Sequence, residues 1–153
     1  METCRLGTVI VLLHLVNGLF IGLGLWLDEF FIDGLSMNDG SGQSFTDERA
    51  AMRGMFLAAF ITIWNSQFQI NMANCRKKYF KWQGGAGAIL CFLSFALAMA
   101  TMIVGEASDI NTMVHTSGKA YPLAVTGTVT LGLTSVVAVL YLIRVCKEPS
   151  TCN

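Results

Sequence analysis

Residues 54–105 read GMFLAAFITIWNSQFQINMANCRKKYFKWQGGAGAILCFLSFALAMATMIVG, and this stretch decides the fold. Two uncharged runs, Gly54–Ala73 and Gly84–Gly105, flank a ten-residue turn whose only charges are Arg76, Lys77, Lys78 and Lys81. At about 1.5 Å per helical residue, about 20 residues cross a hydrocarbon layer of about 30 Å. Lys and Arg are retained on the cytoplasmic side of a membrane. A short basic turn between two apolar runs therefore predicts a helical hairpin with its turn inside.

Two more uncharged runs lie outside this hairpin, Leu6–Leu27 and Tyr121–Ile143. The segments between runs alternate in charge. Residues 28–53 carry Asp28, Glu29, Asp33, Asp39, Asp47 and Glu48 against Arg49 and Arg53. Residues 106–120 carry Glu106, Asp109 and Lys119, while Glu2, Arg5, Arg144, Lys147 and Glu148 sit at the two ends. One side thus collects seven basic and two acidic groups, the other three basic and eight acidic. The pattern predicts an all-α membrane protein. Its expected form is a four-transmembrane-helix bundle, helices about 6–27, 54–73, 84–105 and 121–143, with short outer loops and cytosolic N- and C-termini. Residues 1–153 are expected to form one tetraspan domain.

Composition agrees. The chain has 153 residues, 54% hydrophobic and 13% charged, whereas globular proteins carry roughly 25% charge. No room is left for a separate soluble domain. The formal net charge of zero hides the asymmetry between the two sides. Cations beside a helix end are first a topology signal, so nucleic acid is not an expected partner; membrane lipid is. Arg5 followed by Leu6–Val16 resembles a secretory leader, but the apolar run continues through Trp26 with no small-residue cleavage site. Retention as a span is expected.

Cysteines follow the topology. Cys4, Cys75, Cys146 and Cys152 fall on the reducing side and Cys91 within the third run, so no outer disulfide is expected. Juxtamembrane Cys4, Cys75 and Cys146 are candidates for S-palmitoylation, with plain unmodified thiols the alternative. No N-x-Ser/Thr sequon occurs.

Polar and small residues inside the runs mark contacts. His14, Asn17, Gly18 and Gly22 share one face of the first helix. Gly18 and Gly22 form a G-x-x-x-G that admits a neighbouring backbone, and His14 and Asn17 are expected to hydrogen-bond between helices. Asn65, Gln67, Gln69 and Asn71 crowd the second run. Asn65 and Gln69 share a face and Gln67 and Asn71 lie nearly opposite; one pair can turn into the bundle, with Asn65 and Gln69 taken as the intramembrane contacts, and the other needs another helix, headgroups or a partner, the alternative being a helix that leaves the membrane near Gln67. In the third run Gly84 and Ala88 are spaced for close packing. In the first outer loop, Asn38-Asp39-Gly40 is turn chemistry after Phe30-Phe31-Ile32, and a small strand pair is one option there.

The groups of catalysis are sparse. The two histidines, His14 and His115, fall on different levels, and none of the four runs contains Asp, Glu, Lys or Arg. Proton-translocating subunits and most transporters need such groups. An enzyme is therefore not expected, and neither a cofactor nor a metal site is predicted.

From Arg53 onward the chain resembles the claudin and peripheral myelin protein superfamily of tetraspan proteins. The likeness rests on Arg53-Gly54-Met55-Phe56-Leu57-Ala58-Ala59-Phe60, on Lys77-Lys78 through Gly84-Gly85-Ala86-Gly87, and on Tyr121-Pro122-Leu123-Ala124-Val125-Thr126-Gly127. The chain lacks the family's W…G-L-W…C…C loop: Gly24-Leu25-Trp26 stands at the end of the first run and no loop cysteine follows. The plasma membrane is the expected location, because no retention signal is evident at the tail; the resemblance implies a tetraspan in which Arg53 anchors the outer loop against Asp28 or Asp47. It implies a structural or accessory role, organising cell–cell junctions or a membrane-protein complex by lateral helix contacts. A homo-oligomer or a larger membrane-protein partner is expected. The alternative is an auxiliary or pore-forming subunit of an ion channel, with a small membrane enzyme a more distant third.

Overall fold

The computed structural model describes residues 2–26, 42–75, 80–107 and 120–147, with side chains over 3–24, 51, 54–75, 81–104 and 122–147. The described residues form four helices: α1 Glu2–Trp26, α2 Gly42–Cys75, α3 Phe80–Ala107 and α4 Ala120–Lys147. α2, α3 and α4 each contain one uncharged run and extend past it, and α1 covers the first run from Leu6 to Trp26. In three of them the apolar length suffices to cross a membrane: Thr3–Gly24, Lys81–Val104 and Pro122–Lys147. Among the described residues α2 falls short, because Asn65, Gln67, Gln69 and Asn71 dilute its apolar length.

The larger difference lies at the start of α2. A loop was expected from Asp28 to Arg53, with a strand pair as an option, yet residues 42–53 are helical and α2 runs for 34 residues. The segment Glu48-Arg49-Ala50-Ala51-Met52-Arg53 consists of strong helix formers. Its charges mark departure from the apolar layer without ending the helix. Phe30–Ile32, Asn38–Gly40, Asp28 and the side chains of Asp47 and Arg53 lie outside the described residues, as does His115.

Within the helices, hydroxyl side chains look after themselves. Thr62, Thr101, Thr126, Thr128, Thr130 and Ser135 each donate to a backbone carbonyl three or four residues back, at 2.7–3.0 Å. Such back-bonding lets threonine enter an apolar helix without an outside partner. Pro122 sits in the first turn of α4, where its missing N–H removes no helical bond.

The helices pack as a closed ring, each against its two neighbours in chain order, α1 against α4 closing it. All neighbours are antiparallel. On α1, Gly7, Gly18 and Gly22 meet Asn74, Trp64 and Phe60 in turn; on α4, Gly132 meets Phe95 and Tyr141 meets Gly84 of α3. Buried positions recur at alternating steps of three and four. On α1 these are Thr3, Gly7, Ile10, His14, Asn17, Ile21 and Gly24; on α2, Phe56, Ala59, Ile63, Ser66, Ile70 and Ala73. On α3 they include Gly84, Gly87, Cys91, Ser94, Ala98 and Thr101. A repeat of about 3.5 residues belongs to left-handed bundles, in which each seam keeps facing its partner.

Two apolar clusters fill the axis. Ile21, Phe56, Ala59, Ile63, Ala98, Ala124 and Leu131 form one, and Ile10, Ile70, Ala88, Cys91, Ala138, Tyr141 and Val145 the other. Many inward residues are small, so helix backbones approach closely, while Leu12, Leu19, Ile89, Ile103, Leu133 and Val136 point outward. Between apolar helices in lipid, close packing and hydrogen bonds supply the attraction that water would otherwise provide.

Candidate functional site

Between the two apolar clusters lies a layer of buried polar groups that ties the helices together. His14 Nε2 is 2.9 Å from Ser66 Oγ, and Ser66 donates to the carbonyl of Gly87 at 2.7 Å. The Ser66 proton is committed to that carbonyl, so its oxygen accepts from His14. His14 therefore donates from Nε2, and one chain of bonds joins α1, α2 and α3.

Asn17, one turn further along α1, reaches α4. Its Nδ2 donates to Thr134 Oγ1 at 2.9 Å, while Thr134 donates to the carbonyl of Thr130 at 2.8 Å. Because that hydroxyl proton is spent on its own helix, the amide must present its nitrogen to Thr134. Cys91 Sγ and Ser135 Oγ lie 3.7 Å apart and connect α3 to α4, while Ser94 donates to the carbonyl of Cys91 at 2.7 Å. Two acceptors of the layer, His14 Nδ1 and Asn17 Oδ1, are buried without a hydrogen-bond partner.

Each candidate residue now has a place. His14 and Asn17 are fully buried in interhelical bonds. Asn65 is exposed and Gln69 half-buried, and neither is part of these bonds. Ser66 takes the inward position that the sequence reading gave to Asn65. Serine carries too little signal to be singled out beside four amides, and Thr134 is one of several hydroxyls in the last run.

The glycines divide by what they face. A Cβ built on Gly18 would lie 3.3 Å from Trp64 Cζ2, and one on Gly22 3.1 Å from Phe60 Cε2. Rings of α2, stacked edge to face with centroids 6.1 Å apart, fill the G-x-x-x-G notch where a backbone was expected. Gly84 faces the Tyr141 ring and hydroxyl, and Ala88 is buried beside Cys91. Backbones approach most closely elsewhere. A Cβ on Gly87 would stand 3.2 Å from the Ser66 carbonyl oxygen, and one on Gly127 3.4 Å from the Ile21 nitrogen.

At the helix ends, Cys4, Cys75 and Cys146 are exposed free thiols and Cys91 is buried. Arg5 and Arg144 flank a groove of about 260 Å³ floored by Leu6 and Val9. Among the described residues no three His, Cys, Asp or Glu side chains converge as a metal site would require.

Four packed helices, three of them long and apolar enough to cross a membrane, define an all-helical protein of the integral-membrane class. No family model, no curated protein and no solved structure matches the chain.

Proposed function

We propose that this chain is a four-span plasma-membrane protein with both termini in the cytosol. Its role is structural or accessory: it organises a cell junction or a membrane-protein complex through lateral helix contacts. The observation that carries this reading is the division of polar groups. The interior is tied shut by helix-to-helix bonds at His14, Asn17 and Ser66, whereas the amides of Asn65 and Asn71 face outward. Polar groups that face lipid on a helix call for a partner. The claudin-like motifs in the sequence point the same way.

Purification in mild detergent tests the role. Either a defined membrane-protein partner or a homo-oligomer is expected to co-migrate with the chain. A monomer that carries no partner would overturn it. The outward amides also favour a second reading, a channel subunit in which copies line a pore with Asn65, Gln67, Gln69 and Asn71. Selective ion flux through the purified protein in liposomes would replace the scaffold reading with that one.

Orientation has its own check in the native thiols. An impermeant maleimide is expected to reach Cys4, Cys75 and Cys146 only after the plasma membrane is opened. Sites that need prior hydroxylamine carry a thioester, as palmitoylation would leave. Labelling of intact cells would reverse the topology.

A further inference from the structure

Three helices of the ring turn an apolar face outward through their central turns. On α1 this face holds Leu12, Leu15, Val16 and Leu19, on α3 Ile89, Phe92, Leu93 and Met99, and on α4 Val129, Leu133, Val136 and Leu140. Helix α2 differs. Its outward stripe is Leu57, Ile61, Trp64, Asn65, Phe68, Asn71 and Cys75. Ile61, Phe68 and Cys75 repeat at a seven-residue interval, so the stripe follows the helix with a drift of only about 20° per repeat, the path of a left-handed seam. Phe68 leaves 60% of its surface uncovered.

Depth makes the amide in this stripe costly. Asn65 adjoins Ser66, which bonds His14 across the bundle, and His14 lies midway along the apolar segment Thr3–Gly24. Asn65 is therefore about 15 Å from either surface of the hydrocarbon layer. Its side chain is too short to reach a headgroup, and it makes no hydrogen bond with any described residue. Unlike threonine, it does not hide its polarity on its own backbone.

We infer that the outward face of α2 is a two-fold interface with a second copy of this chain, centred on Asn65. This rests on the membrane-spanning reading given above. A primary amide carries both donor and acceptor, so Asn65 is its own complement. Copies inserted in one membrane share one orientation, and a two-fold axis along the membrane normal brings each residue of the stripe against itself. Asn65 meets Asn65 of the second copy, Phe68 meets Phe68 beside it, and Cys75 meets Cys75 at the end of the stripe. A neutral amide pair fixes register in such seams. The face also explains why α2 tolerates a lower apolarity than its neighbours: in the dimer it is an interior helix.

Oxidative cross-linking in liposomes at high dilution tests this, after hydroxylamine has cleared any thioester. With Cys4, Cys146 and Cys152 replaced by Ser, Cys75 is expected to yield a disulfide-linked dimer, as are Ile61→Cys and Phe68→Cys made with Cys75→Ser added. Leu12→Cys and Ile89→Cys on that background are expected to stay monomeric. Asn65→Leu, an exposed change that leaves the bundle interior untouched, should weaken dimerisation about tenfold. Equal cross-linking at positions 12 and 89, or an unchanged dimer in Asn65→Leu, overturns the interface. If Phe68→Cys in native membranes instead cross-links to a different polypeptide, the second-copy assignment falls while the lateral-contact function stands. A monomer with no partner removes both.

Discussion

Gly87→Ala is expected to destabilise the bundle while Gly85→Ala, two residues away on the same helix, leaves it intact or strengthens it. A Cβ on Gly87 would lie 2.5 Å from Ile70 Cγ1 and 3.2 Å from the carbonyl oxygen of Ser66. Ile70 is fully buried at the seam, so its side chain has little room to yield, and the carbonyl belongs to a helix backbone. Overpacking of this kind costs about 1–3 kcal/mol, which outweighs the roughly 1 kcal/mol that alanine gains over glycine in a helix. Displacing α2 from α3 would also stretch the Ser66 bond to the Gly87 carbonyl. At Gly85 the nearest atom is Leu142 Cδ1 at 3.9 Å, an ordinary contact, so only the helix-forming gain remains. Thermal unfolding followed by circular dichroism in detergent compares the two. Equal midpoints would mean that α2 and α3 are not held at this distance.

Ser66→Ala is expected to cost about 1–3 kcal/mol, the usual penalty for stranding a buried polar group. Ser66 receives the His14 N–H at 2.9 Å while passing its own proton to the Gly87 carbonyl at 2.7 Å. Its loss leaves the imidazole donor without an acceptor in an apolar layer. The average interhelical bond in a membrane contributes only about 0.6 kcal/mol, so the orphaned donor, more than the lost bond, sets the size of the effect. His14→Leu removes that donor together with the ring. The double variant His14→Leu/Ser66→Ala should therefore lose less stability than the two single changes added together. Strict additivity in a denaturant titration would show that His14 and Ser66 do not act as a pair.

Much of the helical layout was legible because apolar length is a property of sequence alone. Three of the four runs coincide with helices suited to cross a membrane, with ends shifted by a few residues. His14 and Asn17 were legible for a related reason: a polar group in an apolar run must find a partner, and both did. The start of α2 was not. Charged Glu48, Arg49 and Arg53 read as a loop, although charge moves a residue out of lipid without stopping a helix.

The inward faces were hidden for a different reason. In water, polarity separates the outside of a helix from its inside. Here Leu12, Ile89 and Leu133 face outward and are as apolar as Ile10, Ile21 and Leu131 in the core, so hydropathy does not tell the faces apart. Size does, and Ala, Gly and Ser at seven-residue intervals give too weak a signal in one chain. Sequence alone set the order of the described helices and the sign of charge at their ends, because those depend on length and composition. Only the tertiary structure decided that Ser66 turns inward and Asn65 outward. They are adjacent on α2, and the 100° between them takes its meaning from where α1 and α3 stand.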